Sequence, residues 1–75
     1  MMLTISFKAR REDKEITLML DNEQTIGGTI RILREAGIFS VDTAFVRSIR
    51  TKERIPIKNT YLESHIYNGD ILILE

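Results

Sequence analysis

The chain has one histidine, His65, and no second imidazole or thiolate at a metal-ligand spacing from it. A metal site or a catalytic base needs such partners, so His65 reads as a loop residue ahead of Ile66. Cysteine is absent. Disulfides, thiolate zinc sites and Cys nucleophiles are thereby excluded, and neither a metal nor a cofactor is expected. Glu12 and Asp13 lie in a charged run, and Asp42 precedes a strand-like segment. None of them forms a carboxylate pair that spacing identifies as an acid and a base. The serines lack the context of a nucleophile elbow. Gly27-Gly28 could admit a partner's backbone or bind an anion at a helix start. No third glycine and no Gly-Lys-Ser/Thr follows it, so the dinucleotide and phosphate-loop patterns are not met. Tight packing of a helix against its neighbour is the simpler role. No catalytic residue is assigned, and the chain is not expected to be an enzyme.

Length and charge narrow the field further. Seventy-five residues allow one domain, residues 1–75, and little room for a deep walled cleft. The longest uninterrupted apolar run is Ile71 to Leu74. A membrane span needs ~20 such residues, so direct membrane insertion is not expected. The N-terminus opens on a strand pattern and not on an apolar signal segment, which argues against a cleaved secretion peptide. Eleven Lys and Arg balance eleven Asp and Glu. The balance is uneven along the chain. Residues 43–58 hold Arg47, Arg50, Lys52, Arg54 and Lys58 against Glu53 alone, a net +4. Residues 59–75 carry −3 from Glu63, Asp70 and Glu75, and the first 42 residues carry −1. A basic stretch fits an acidic protein surface, nucleic acid or anionic lipid. Zero net charge and few interleaved aromatics argue against nucleic acid. Arg50, Lys52, Arg54 and Lys58 are therefore a secondary contact for a protein, or simply a solvated edge.

The elements that must carry these residues follow from periodicity. Leu3, Ile5 and Phe7 alternate with Thr4, Ser6 and Lys8, as in a strand with one buried face. Arg10 to Lys14 is fully charged and reads as a hairpin loop. Ile16, Leu18 and Leu20 then alternate in a second strand. Ile26, Ile30 and Leu33 lie on one helical face. Thr25 is placed to cap the helix start, and Gly37 to end it, so a helix is predicted over roughly 26–36. Ile38 and Phe39 should tuck beneath the sheet. Phe45 to Arg50 reads as a third strand. Burying mid-strand Arg47 costs more than burying Ser48, so Val46 and Ser48 should point inward and Phe45, Arg47 and Ile49 outward. Pro56 confines Ile55-Pro56-Ile57 to a sheet edge. Asn68-Gly69-Asp70 is a turn. Ile71 to Leu74, apolar on both faces, should be central. A helix crossing one face of a mixed four- to five-stranded sheet, with the last strand beside the first, is the α+β architecture that fits this order.

Several of these segments resemble known ones. Gln24-Thr25-Ile26, with Ile30 and Leu33, resembles the start of the helix in the ubiquitin-like β-grasp fold. Thr60 to Leu74 resembles that fold's closing segment, in which a helical turn, an Ile and a Gly-Asp turn precede the last strand. Phe45 to Lys52 together with Ile66 to Leu72 is similar in type and spacing to the YukD/EsaB-like ubiquitin-related proteins of bacterial type VII secretion. The resemblance covers nearly the whole chain. It implies an accessory or regulatory protein of the cytoplasm whose partner is a component of the secretion machinery, such as its membrane-bound ATPase; apart from the resemblance, a homodimer with a second copy of the chain is the other expected contact. Ubiquitin and the sulfur carriers end in a flexible Gly-Gly tail. This sequence ends Ile73-Leu74-Glu75, which speaks against conjugation and sulfur transfer and agrees with the YukD-like pattern. The alternative is a small β-grasp subunit of a multicomponent enzyme, such as a bacterial aromatic monooxygenase.

The resemblance also orients the last strand. With Leu72 and Leu74 inward, Ile71 and Ile73 point out beside Phe45 and Ile49. Arg47 stands among them. An apolar centre with an arginine at hand is what protein interfaces favour. Phe45, Arg47, Ile49, Ile71 and Ile73 are therefore the candidate partner-binding residues. Ubiquitin presents its apolar binding patch on the same sheet face.

Overall fold

The computed structural model describes residues 1–40 and 42–75. The alternation at the N-terminus forms β1 (Met2–Ala9) and β2 (Glu15–Asp21), joined across the charged loop. They pair antiparallel from Met2↔Asp21 to Lys8↔Glu15. This register places Leu3, Ile5 and Phe7 on the same face as Ile16, Leu18 and Leu20. One face is thus apolar along the full hairpin, and a one-residue slip would turn it to water.

The helix α1 (Ile26–Glu35) buries Ile26, Thr29, Ile30 and Leu33. Thr25 caps it as expected: its Oγ1 accepts from the Gly28 N–H at 3.1 Å. The helix ends one residue earlier than predicted. Gly37 takes φ +76°, and the Ile38 N–H reaches back to the Leu33 carbonyl at 2.9 Å. Such a left-handed residue closes the last turn and is inexpensive only for glycine. Gly27 has a different function. Its N–H donates to the Ile57 carbonyl at 2.8 Å, and a Cβ there would stand 3.1 Å from that oxygen. The helix start is thereby pinned against the segment that follows the fourth strand.

Three further strands complete the sheet: β3 (Phe45–Ser48), β4 (Arg54–Pro56) and β5 (Ile71–Leu74). Their order is β2-β1-β5-β3-β4. The last strand is central, parallel to β1 from Ser6↔Ile71 to Ala9↔Leu74 and antiparallel to β3. Two expected boundaries shift. The third strand stops at Ser48, not Arg50, because the chain reverses there: the Lys52 N–H donates to the Ser48 carbonyl at 2.7 Å, and Lys52 takes φ +62°. Ile49 therefore lies in a turn and not on a strand. The short edge strand is Arg54–Pro56 and excludes Ile57, whose carbonyl is turned to the helix.

The core lies between helix and sheet. Strand residues Leu3, Ile5, Phe7, Val46, Leu72 and Leu74 meet helix residues Ile26, Ile30 and Leu33. Phe39, Tyr61 and Ile66 close it from the connections. Burying each large side chain contributes about 1.5–3 kcal/mol. Tyr61 is fully buried, and its hydroxyl donates to Thr29 Oγ1 at 2.8 Å. Desolvation pushes that hydroxyl well above the ordinary tyrosine range.

Asp70, at the end of the turn before β5, is buried. It is 4% exposed and accepts from Ser48 Oγ at 2.7 Å and from its neighbour's amide, Ile71 N–H, at 2.8 Å. No helix among the described residues is long and apolar enough to cross a membrane.

Candidate functional site

The outer face of the sheet is built by the residues that alternate with the core. Across its middle run Glu15, Lys8, Ile73, Arg47 and Arg54, one from each strand. The next row holds Thr17, Ser6 and Ile71, with Thr17 and Ser6 hydroxyls 2.8 Å apart. Phe45 faces Pro56 in the remaining row. Phe45, Arg47, Ile71 and Ile73 thus share one face. Phe45, Ile71 and Ile73 are half-buried there, and Arg47 is exposed. Ile49 stands just beyond it, 48% exposed, its N–H donating to the Ile71 carbonyl at 3.0 Å.

Arg47 is not a free charge in an apolar field. Its Nε donates to Glu75 Oε2 at 3.2 Å, and its Nη1 donates to the Lys52 carbonyl at 3.0 Å. Arg54 Nε lies 3.6 Å from the other oxygen of Glu75, and Arg10 Nη1 lies 3.8 Å from Oε2. The Arg54 guanidinium also covers the Phe45 ring at 4.1 Å from its centroid. Such stacking is favoured electrostatically and hides part of the ring from water. The Glu75 side chain is 14% exposed beneath these three arginines.

The second group, Arg50, Lys52, Arg54 and Lys58, is not brought together. Arg54 joins the Glu75 cluster. Arg50 folds over the Tyr67 ring at 4.5 Å and donates from Nη2 to the His65 carbonyl at 2.7 Å. Lys52 occupies the turn. Lys58 is exposed beyond β4, beside a shallow cleft that Ala44, Phe45, Pro56 and Ile57 also line.

Two residues of this charged cluster were not among the candidate site residues, Glu75 and Arg10. Parity could have found both. Glu75 continues the outward alternation of Ile71 and Ile73, and Arg10 continues that of Thr4, Ser6 and Lys8. A second cleft, of about 480 Å³, adjoins them and is lined by Arg10, Arg11, Glu12, Ser40 and Asp42 with Leu74 and Glu75. Within it the Ser40 hydroxyl and amide donate to Glu12. The hydroxyl bond is the main cause holding the Glu12 carboxyl below the usual carboxylate range. Among the described residues no three His, Cys, Asp or Glu side chains gather to hold a metal ion. The side chains on this face offer apolar surface, the guanidiniums of Arg47 and Arg54, the Lys8 ammonium and the carboxylates of Glu15 and Glu75.

No protein-family model matches the chain, and no curated protein matches it. Solved structures do. The chain is similar to a protein designed on the basis of ubiquitin, with a TM-score of 0.77, 20% identity, and coverage of 99% of this chain and 87% of that one. It is similar to the ubiquitin-like domain of Plasmodium falciparum Dsk2, with a TM-score of 0.68, 19% identity and full coverage of both chains. It is also similar to the EccD5 ubiquitin-like domain from Mycobacterium xenopi, with a TM-score of 0.65, 18% identity, and coverage of 100% and 93%. At these identities the likeness shows the fold alone. The chain has the ubiquitin-like β-grasp fold, with a five-stranded mixed sheet and one helix.

Proposed function

We propose that this ubiquitin-like domain is a non-catalytic protein-binding module. It takes its partner on the outer sheet face through Phe45, Arg47, Ile49, Ile71 and Ile73. The observation that carries this reading is the gathering of Ile71, Ile73 and Phe45 on one face around Arg47. Apolar surface that two adjacent strands share, with arginine beside it, fits the centre of an interface. The secretion part of the reading rests on the resemblance of Phe45 to Lys52 and Ile66 to Leu72 to the YukD/EsaB-like proteins. On it, the domain is a cytoplasmic accessory of type VII secretion, and its partner is a component of that machinery such as the membrane-bound ATPase.

Ile73→Asp tests the face. A charge at the middle of β5 on the solvent side leaves the core residues Leu72 and Leu74 in place. Capture of the partner by the tagged protein should be lost while the circular dichroism spectrum is retained. Capture that survives would move the site elsewhere. Copurification tests the pathway: membrane secretion components support the secretion role, whereas a soluble hydroxylase would replace it with that of an enzyme subunit.

A further inference from the structure

Arg10 follows β1, Arg47 lies in β3, Arg54 lies in β4, and Glu75 follows β5. The chain therefore brings three guanidiniums from three separate strands to one carboxylate. We propose that these arginines form a receptor for an acidic side chain of the protein partner, and that Glu75 holds them in place while taking up part of their capacity. The proposal deepens the reading of the outer sheet face as a protein-binding face and rests on it.

Charge and geometry carry the argument. Three guanidiniums meet the single Glu75 side-chain carboxylate, which can match only one of their charges. Each guanidinium carries a planar fork of N–H donors. Only Arg47 Nε reaches Glu75 at hydrogen-bond distance; Arg10 and Arg54, at 3.8 and 3.6 Å, are ion contacts. The side chains of Arg10, Arg47 and Arg54 remain 71%, 44% and 58% exposed, above a carboxylate that is 14% exposed. All three side chains therefore remain accessible from solvent. Arg54 is held by the Phe45 ring and Arg47 by the Lys52 carbonyl, so two of the three forks are already oriented. An incoming carboxylate meets a preformed pair of forks, which lowers the ordering cost of binding. Ile73 lies directly between Lys8 and Arg47. The surface consequently fits an acidic residue set next to an apolar one, a pattern that a peptide supplies and a free phosphate does not.

The test uses the full chain and a synthetic peptide that alternates Glu with Leu, followed by NMR titration. Glu75→Gln keeps an oxygen acceptor for Arg47 and removes the competing charge. It should tighten peptide binding about threefold. Glu15→Gln, at the far end of the row that holds Arg47 and Arg54, changes the net charge equally and should have less effect. Arg47→Gln with Arg54→Gln should weaken binding about tenfold. Equal effects of Glu75→Gln and Glu15→Gln, or unchanged binding in Glu75→Gln, overturn the proposal, as does a peptide that does not bind. Tighter binding of pyrophosphate than of the peptide overturns the assignment to a protein partner. Should a variant not fold, the unaltered chain still decides: the Nε–Hε resonances of Arg47 and Arg54 must shift with saturation. A peptide alternating Glu with Ser separates the two readings. If it binds as well as the Leu peptide, the apolar face fails and the arginine site stands. If binding follows Leu and ignores the arginine variants, the reverse holds.

Discussion

Asp70 shows how much one side chain can decide. It sits at the turn into β5 and is nearly out of contact with water. Ser48 Oγ and the Ile71 N–H satisfy its oxygens at 2.7 and 2.8 Å, and Arg50 Nε stands 4.0 Å away. Ser48 is itself 1% exposed, so each partner depends on the other. Ser48 was expected inward because a hydroxyl is less costly to bury than a guanidinium. Its anchor, Asp70, was read only as the end of a turn and as one of three charges in the closing segment, because nothing local to it points to Ser48, 22 residues away. Asp70→Ala should destabilise the fold by about 2–4 kcal/mol, because it strands the Ser48 hydroxyl and frees the turn. Urea unfolding measures this, and a loss below that of an ordinary surface substitution would refute the anchoring role.

The helix illustrates the balance between propensity and packing. A glycine inside a helix costs up to ~1 kcal/mol relative to alanine, and replacing it usually stabilises. Gly27 should behave oppositely. Its Cβ would press on the Ile57 oxygen at 3.1 Å. That oxygen cannot retreat freely, since it accepts the Gly27 N–H, and the adjacent Ile26 N–H is bound to the Asn59 carbonyl at 3.0 Å. Gly27→Ala is therefore expected to lower stability by about 1 kcal/mol. A higher melting temperature for that variant would show that the junction can relax. Thr25, Ile30, Leu33 and Gly37 were readable in advance because capping and periodicity act within a few residues. The need for Gly27 depends on Ile57, thirty residues along the chain.

Across the whole molecule, two carboxylates link folding to pH. Glu12 ties the first hairpin loop to Ser40, with the Ser40 hydroxyl as the main cause of its lowered pKa. Glu63 closes a reciprocal pair with Thr60: the Thr60 N–H donates to Glu63 Oε1 at 2.9 Å, and the Glu63 N–H donates to Thr60 Oγ1 at 3.1 Å. The Thr60 backbone bond is the main cause of the lowered Glu63 pKa. A carboxyl whose folded pKa lies below its ordinary 4.5 binds protons less readily folded than unfolded. Its contribution is complete above that ordinary value and is lost as pH falls through the lower folded one. Stability should thus decline on acidification below about pH 4.5. Denaturant midpoints measured against pH should decline less steeply in Glu12→Gln with Glu63→Gln. An unchanged slope would assign the acid sensitivity to other groups.

The elements of this fold are local in origin. Alternation in Leu3 to Phe7 and Ile16 to Leu20, and the capped apolar stripe from Ile26 to Leu33, determined the hairpin, the helix and their buried faces. Those signals need only neighbouring residues and water. The absence of thiols and of clustered imidazoles likewise bounded the chemistry from composition. Tertiary structure decided everything that depends on which distant strands meet. It made Tyr61 a core residue by placing Thr29 within reach of its hydroxyl. It also drew Arg10, Arg47 and Arg54, from separate parts of the chain, onto Glu75 at the sheet face, and left Arg50, Lys52 and Lys58 outside that cluster. Charge in a sequence is a sum, whereas charge in a fold acts over a few ångströms, and those distances are set by strand order and register.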